Sequence, residues 1–257
     1  MSRPGLPDLP RSSDQHPATR LLGALRPLAA GLMGRRWNVS VHQSEHVPAD
    51  GGVILAANHV GIIDGPLLAT FAPRPVHALT KREMFEGRLS GFLRRTGQIP
   101  LDRFATDPGA IRSSLRVVRD GGVVGIFPEG TRTTGALDRF HHGAAYLALV
   151  TGAPVVPVTL IGTWAAPDGS SSLPERGSDI DIVFGRAWQT TQEPWPRTRE
   201  HVTATSVLLR GHMLSELDSA LTRTRRSLPA PRPGRQCDDD PDTGLVETSQ
   251  RTVDTHE

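Results

Sequence analysis

The sequence predicts an α/β fold: a mixed, largely parallel sheet flanked by helices, with a short N-terminal interfacial helix in front of it. Short apolar or β-branched runs alternate with stretches of helical spacing from residue 53 onward, and Gly, Pro or Asp bounds the runs. No internal repeat interrupts that alternation. At 257 residues the chain is long enough for one substantial core with trimmings, and short for two large ones.

Taken in order, residues 1–17 are rich in Pro, Ser and Asp and are expected to be disordered. Residues 18–40 form a membrane-proximal segment. Within it Ala18 to Met33 is densely apolar, with Arg20 and Arg26 as snorkelling anchors, and reads as an interfacial helix or as one packed on its own domain. Residues 41–227 form the main domain. Its strands are expected at Val53–Ala57, Val76–Leu79, Val123–Phe127, Val155–Leu160 and Ile180–Phe184, and its helices at Pro66–Phe71, Asp107–Asp120 and Ala136–Val150. Residues 201–226 continue as a polar amphipathic helix. Residues 228–257 are expected to be a disordered acidic tail.

Composition excludes several classes. Apolar residues make up 37% and charged residues 22%, and no run approaches the eighteen apolar residues of a membrane span. The start lacks the apolar stretch of a signal peptide, so a cytoplasmic location is expected. The single cysteine, Cys237, agrees with a reducing compartment. Residues 1–40 hold six arginines against two aspartates, which suits an anionic membrane surface. With 5% aromatics and no stacking platform or zinc-finger spacing, nucleic acid is not expected as a partner.

Two strand ends carry candidate chemistry. Asn58-His59-Val60-Gly61-Ile62-Ile63-Asp64 follows the first main strand. Histidine is the side chain most easily poised as a base near neutral pH, and a carboxylate can hold its second ring nitrogen. Five residues along a helix would leave the two side chains about 140° apart, so the pair needs a turn, which Gly61 and Gly65 permit. Phe127-Pro128-Glu129-Gly130-Thr131-Arg132 ends another strand, where α/β sheets place ligands; Arg132 offers a bidentate fork and Thr131 a hydroxyl. Lys81-Arg82-Glu83 and Ile99-Pro100-Leu101-Asp102-Arg103 also follow strands. Lys81 and Arg103 are expected to join Arg132 in a pocket for a dianion. A rival is His42-Gln43-Ser44-Glu45-His46, with the spacing of an inverted zinc-protease motif, which works only on a helix.

Asn-His-x4-Asp, an apolar-x-Asp-Arg block, Phe-Pro-Glu-Gly-Thr-Arg and Val155-Val156-Pro157-Val158, in this order, resemble the glycerophospholipid acyltransferases, above all the bacterial 1-acyl-sn-glycerol-3-phosphate acyltransferases. The likeness runs from about Val41 to Gly162. It implies transfer of a fatty acyl group from acyl-CoA or acyl carrier protein to the free hydroxyl of a lysophosphatidate-like acceptor, in phospholipid biosynthesis. His59 would be the base and Asp64 its orienting carboxylate; Asn58, Lys81, Arg103, Glu129, Gly130, Thr131 and Arg132 would bind substrate. No metal or cofactor is implied beyond the thioester co-substrate, and the enzyme would sit peripherally on the inner face of the cell membrane. A non-catalytic lipid-binding protein of the same fold is the alternative. Two departures stand out: Gly61 where the family commonly has Ser, and Gln98-Ile99-Pro100-Leu101, less apolar than usual.

Overall fold

The computed structural model describes residues 10–164 and 173–230. In chain order the elements are α1 (Arg20–Arg36), β1 (Asn38–His42), β2 (Val53–Ala57), α2 (Asp64–Phe71), β3 (Val76–Lys81), α3 (Ser90–Arg95), β4 (Ile99–Leu101), α4 (Pro108–Arg119), β5 (Val123–Ile126), α5 (Gly143–Thr151), β6 (Val155–Ile161), β7 (Asp179–Phe184) and α6 (Arg199–Thr224). Single 3-10 turns occupy Ser44–His46 and Arg82–Phe85.

The seven strands make one sheet in the order β1-β7-β6-β2-β5-β3-β4. β6, β2, β5, β3 and β4 run parallel; β7 lies antiparallel to β6, and β1 parallel to β7. β2 shows why a continuous apolar run suits the centre. All five of its residues are buried: Ile54 and Ala56 pack with α4, α5 and α6, while Val53, Leu55 and Ala57 pack on the opposite face with Leu67 and Leu68 of α2. Truncating Leu55 to Ala would cost roughly 2–5 kcal/mol. Because the parallel strands share a direction, the segments following Ala57, Lys81, Leu101 and Ile126 leave from the same edge of the sheet.

Local signals explain most boundaries. α4 starts where Asp107 accepts hydrogen bonds from the Gly109 and Ala110 amides, with Pro108 in the first turn. β4, an edge strand, tolerates Pro100 in its middle because one of its sides has no ladder to feed. The five main strands expected from sequence are present, with ends shifted by at most two residues.

Three expectations differ. The helix expected from Ala136 begins only at Gly143, because residues 131–142 fold into a loop around Glu129, with Gly135 (φ +79°) and Leu137 (φ +58°) in left-handed conformations that end any helix. Of the N-terminal stretch expected to be disordered, residues 10–17 run along α4: the Ser13 amide donates to the Arg112 carbonyl at 3.0 Å, and Arg119 donates to the Pro10 carbonyl at 3.2 Å. Arg26 does not serve as a lipid anchor. Its guanidinium donates to the Thr70 carbonyl at 3.3 Å and to the Ala72 carbonyl, capping the C-terminal end of α2.

α1 runs unbroken through Pro27, buries Leu22 alone, and exposes Leu28 and Leu32. No helix among the described residues is long and apolar enough to cross a membrane. Residues 1–9, Cys237 and most of the acidic tail lie outside the described residues.

Candidate active site

β2 delivers His59 to the edge of the sheet, and the next five residues form the turn that its pairing with Asp64 requires. His59 Nδ1 lies 2.8 Å from Asp64 Oδ2. The same oxygen accepts the Val60 amide at 2.6 Å and the Gly61 amide at 2.8 Å, so one fully buried carboxylate ties the turn together. An ionised carboxylate only accepts; Nδ1 therefore carries the proton, which leaves the Nε2 lone pair available as a base. The ring lies against Phe127, with centroids 4.4 Å apart. Asn58 is buried and bonded through both ends of its amide to the backbone of Leu160 in β6, at 2.7 and 3.1 Å. It thus pins the exit of β2.

Gly61 has a steric reason to be glycine. A Cβ there would lie 2.0 Å from the Thr163 carbonyl oxygen, so a serine at this position requires backbone movement. The departure from the common family pattern is therefore matched by close packing rather than by a looser turn.

Glu129, three positions beyond the last buried residue of β5, is entirely buried and points inward. Its Oε2 accepts the His59 amide at 2.6 Å; its Oε1 accepts the Leu137 amide at 3.3 Å and the Thr133 hydroxyl. The Thr133 amide in turn donates to the His59 carbonyl at 2.8 Å. Burial pushes the carboxyl up to about 7, against the opposing pull of those hydrogen bonds and with a further push from Asp64. Sequence reading placed Glu129 in a substrate pocket and overlooked Thr133, Gly135 and Leu137. The available signal was Thr133, four residues after the acid, with a glycine two residues further on at 135.

The basic residues approach from the neighbouring strand ends. Arg103 donates to the Gly130 carbonyl at 3.1 Å, which brings the second and third sequence blocks into contact. Its Nε is buried without a hydrogen-bond partner among the described residues. Lys81 closes β3 opposite Leu101 of β4, two residues before Arg103. Gly130 adopts φ +69°, and Thr131 is buried. Arg132 is exposed and adjoins Thr133, the residue bonded to His59. Beside them lies a cavity of about 240 Å³. Leu79, Leu101, Ile126, Phe127 and Leu147 supply its apolar wall, and Arg103 and Gly130 also line it. Phe127 thus touches both the cavity and the imidazole.

The zinc-motif spacing has no matching geometry. His42 ends β1, Gln43 turns left-handed (φ 56°), and only a 3-10 turn follows, so the required helix does not form. His42 Nε2 pairs with Asp181 at 2.8 Å, and His46 Nδ1 lies 2.8 Å from the Phe184 carbonyl.

Known proteins resemble this chain both in sequence and in fold. Residues 38–161, which include every strand-end segment above, match the family model described as Acyltransferase. The chain is 28% identical over 192 residues to the 1-acyl-sn-glycerol-3-phosphate acyltransferase of Bacillus subtilis, an alignment covering 74% of this chain and 93% of that protein. It is 35% identical over 131 residues to the protein of the same name in Borreliella burgdorferi, covering 49% of this chain and 52% of the other. The crystal structure of the 1-acyl-sn-glycerophosphate acyltransferase of Thermotoga maritima superposes with a TM-score of 0.62 at 20% identity, covering 81% and 82% of the two chains, and so shares the fold. Across residues 38–161 this chain thus carries an acyltransferase-family region, and the relatives that it resembles are named 1-acyl-sn-glycerol-3-phosphate acyltransferases.

Proposed function

We propose that the protein transfers a fatty acyl group from acyl-CoA or acyl carrier protein to the free hydroxyl of a 1-acylglycerol-3-phosphate, with His59 as general base. The observation that carries the reading is the 2.8 Å contact between His59 Nδ1 and the buried Asp64, which frees Nε2 for the acceptor hydroxyl. Nε2 takes the hydroxyl proton as the oxygen attacks the thioester carbonyl; collapse of the tetrahedral adduct expels the thiolate, which recovers that proton.

Arg103, with Lys81 and Arg132, binds the acceptor phosphate. The buried Nε of Arg103 lacks an acceptor that a phosphate oxygen would supply. The apolar cavity beside it accommodates an acyl chain. Gly130 and Thr131 shape the floor of the site, while Asn58 and Glu129 act as positioning residues, since their polar atoms are engaged by the protein's own backbone and by Thr133. The catalytic domain, expected over residues 41–227, takes in the whole of β1 and so begins at Asn38. Residues 18–37 hold it peripherally on an anionic inner membrane face, and residues 228–257 are an acidic tail.

The test is release of free thiol from a long-chain acyl thioester in the presence of lysophosphatidate. His59→Ala is expected to lower turnover by roughly 10²–10⁴-fold with an unchanged thermal transition. Near-parental turnover would remove His59 from the mechanism. No thiol release by the parent with any phosphoglycerolipid would leave a lipid-binding protein of the same fold.

A further inference from the structure

The crossover between β3 and β4 exposes an unusual group of large apolar side chains. Met84 is 42% exposed, Leu89 53% and Phe92 51%, and Phe104, just after β4, is 48% exposed. Leu89 and Phe92 are three residues apart across the start of α3 and so face the same way. Met84 and Phe104 flank a common feature, the ion pair of Arg82 with Asp102 at 3.5 Å. Along the chain the group therefore makes a band from the exit of β3, next to Lys81, through the crossover, with Phe104 at the exit of β4.

Charge accompanies it. Within residues 86–95 the exposed Arg88, Arg94 and Arg95 outnumber Glu86, and Arg103 lies over the Phe104 ring at 5.5 Å. The band also joins α1: Arg95 lines one surface cleft together with Thr19, Arg20 and Leu21. Exposed apolar residues interleaved with arginines match a bilayer interface, where hydrocarbon receives the apolar groups and anionic headgroups receive the guanidinium groups.

We propose that residues 84–95 and Phe104 form a second membrane-docking surface, separate from the exposed side of α1, which sets the phosphate-binding end of the crevice against an anionic lipid bilayer. The inference rests on the acceptor being a membrane lipid, and it explains how such a lipid passes from the bilayer to Arg103 without crossing water. An acidic carrier protein would engage the arginines, but it gives no reason for four large apolar side chains to stand exposed.

The test uses the full chain and vesicles of equal parts phosphatidylglycerol and phosphatidylcholine. Leu89→Glu/Phe92→Glu is expected to weaken vesicle co-sedimentation about tenfold or more. Its turnover of a short-chain acceptor dissolved as monomers should stay within about twofold of the parent, because no group in the reaction is altered. Arg88→Glu, a surface change that leaves packing intact, should weaken binding to the same vesicles about fivefold, and it decides the matter if the double variant does not fold. Vesicle binding unchanged in the variants that fold would overturn the proposal, as would loss of carrier-protein binding with vesicle binding retained. If the parent turns over no acceptor in either form, the acyl-transfer reading fails while co-sedimentation still decides this one.

Discussion

In the turn of residues 58–64 the organising carboxylate reaches back three to five residues, so the turn closes on itself. In the loop of residues 127–137 the organising carboxylate reaches eight residues forward and 70 residues back, to the His59 amide. Both acids are fully buried, yet Asp64 contacts the imidazole whereas Glu129 holds the backbone that carries it. The comparison teaches that the site has two supports of different kinds: a local one that sets the ring's tautomer, and a long-range one that sets its position.

The strongest way to break the comparison is to remove the charge from the local support. Asp64→Asn keeps the shape but not the anion that stabilises the imidazolium, and kcat should fall on the order of 10²-fold with little change in KM. An equal loss in Glu129→Gln would erase the distinction between the two supports. Next in size is Gly61→Ala. Its Cβ must displace the Thr163 carbonyl, so denaturant unfolding should report a loss of about 1–3 kcal/mol together with reduced turnover.

The smallest effect is a change of slope, and it sharpens the role of Glu129. Its carboxyl binds a proton more tightly in the folded chain, at about 7, than at its ordinary value of 4.5. The favourable contribution of the protonated form is thus fully present below about pH 4.5 and is lost as pH rises through about 7. Thermal melts of Glu129→Gln across that window should show a flatter stability profile than the parent. Parallel profiles would mean that the acid is already ionised in the native protein.

How much of this was legible in the sequence follows from the same contrast. Val53–Ala57 and the His59-to-Asp64 turn were readable because their determinants lie within a few residues: an unbroken apolar run, two glycines, and an acid at the helix start. The loop after Glu129 was not, since Ala136 to Val150 has helical spacing throughout, and the left-handed Gly135 and Leu137, with the Leu137 amide turned to the buried acid, override it. The motif at residues 42–46 misled in the opposite direction, because spacing alone carries no information about whether the segment is helical. α3 was missed because at six residues its pattern is too short to show a period. The contact of Arg103 with Gly130 joins two strand ends 27 residues apart, and the topology alone supplies it.

The link between Arg26 and the last turn of α2 has a practical meaning. α2 is only eight residues, about 12 Å, with the Arg26-bound carbonyls at one tip and Asp64 at the other. A shortened protein lacking α1, the obvious choice for easier handling, would uncap that short rod at its far end. Such a trimmed variant would be a poor stand-in for the whole chain, because what looks like a detachable handle is also a brace for the group that orients the imidazole.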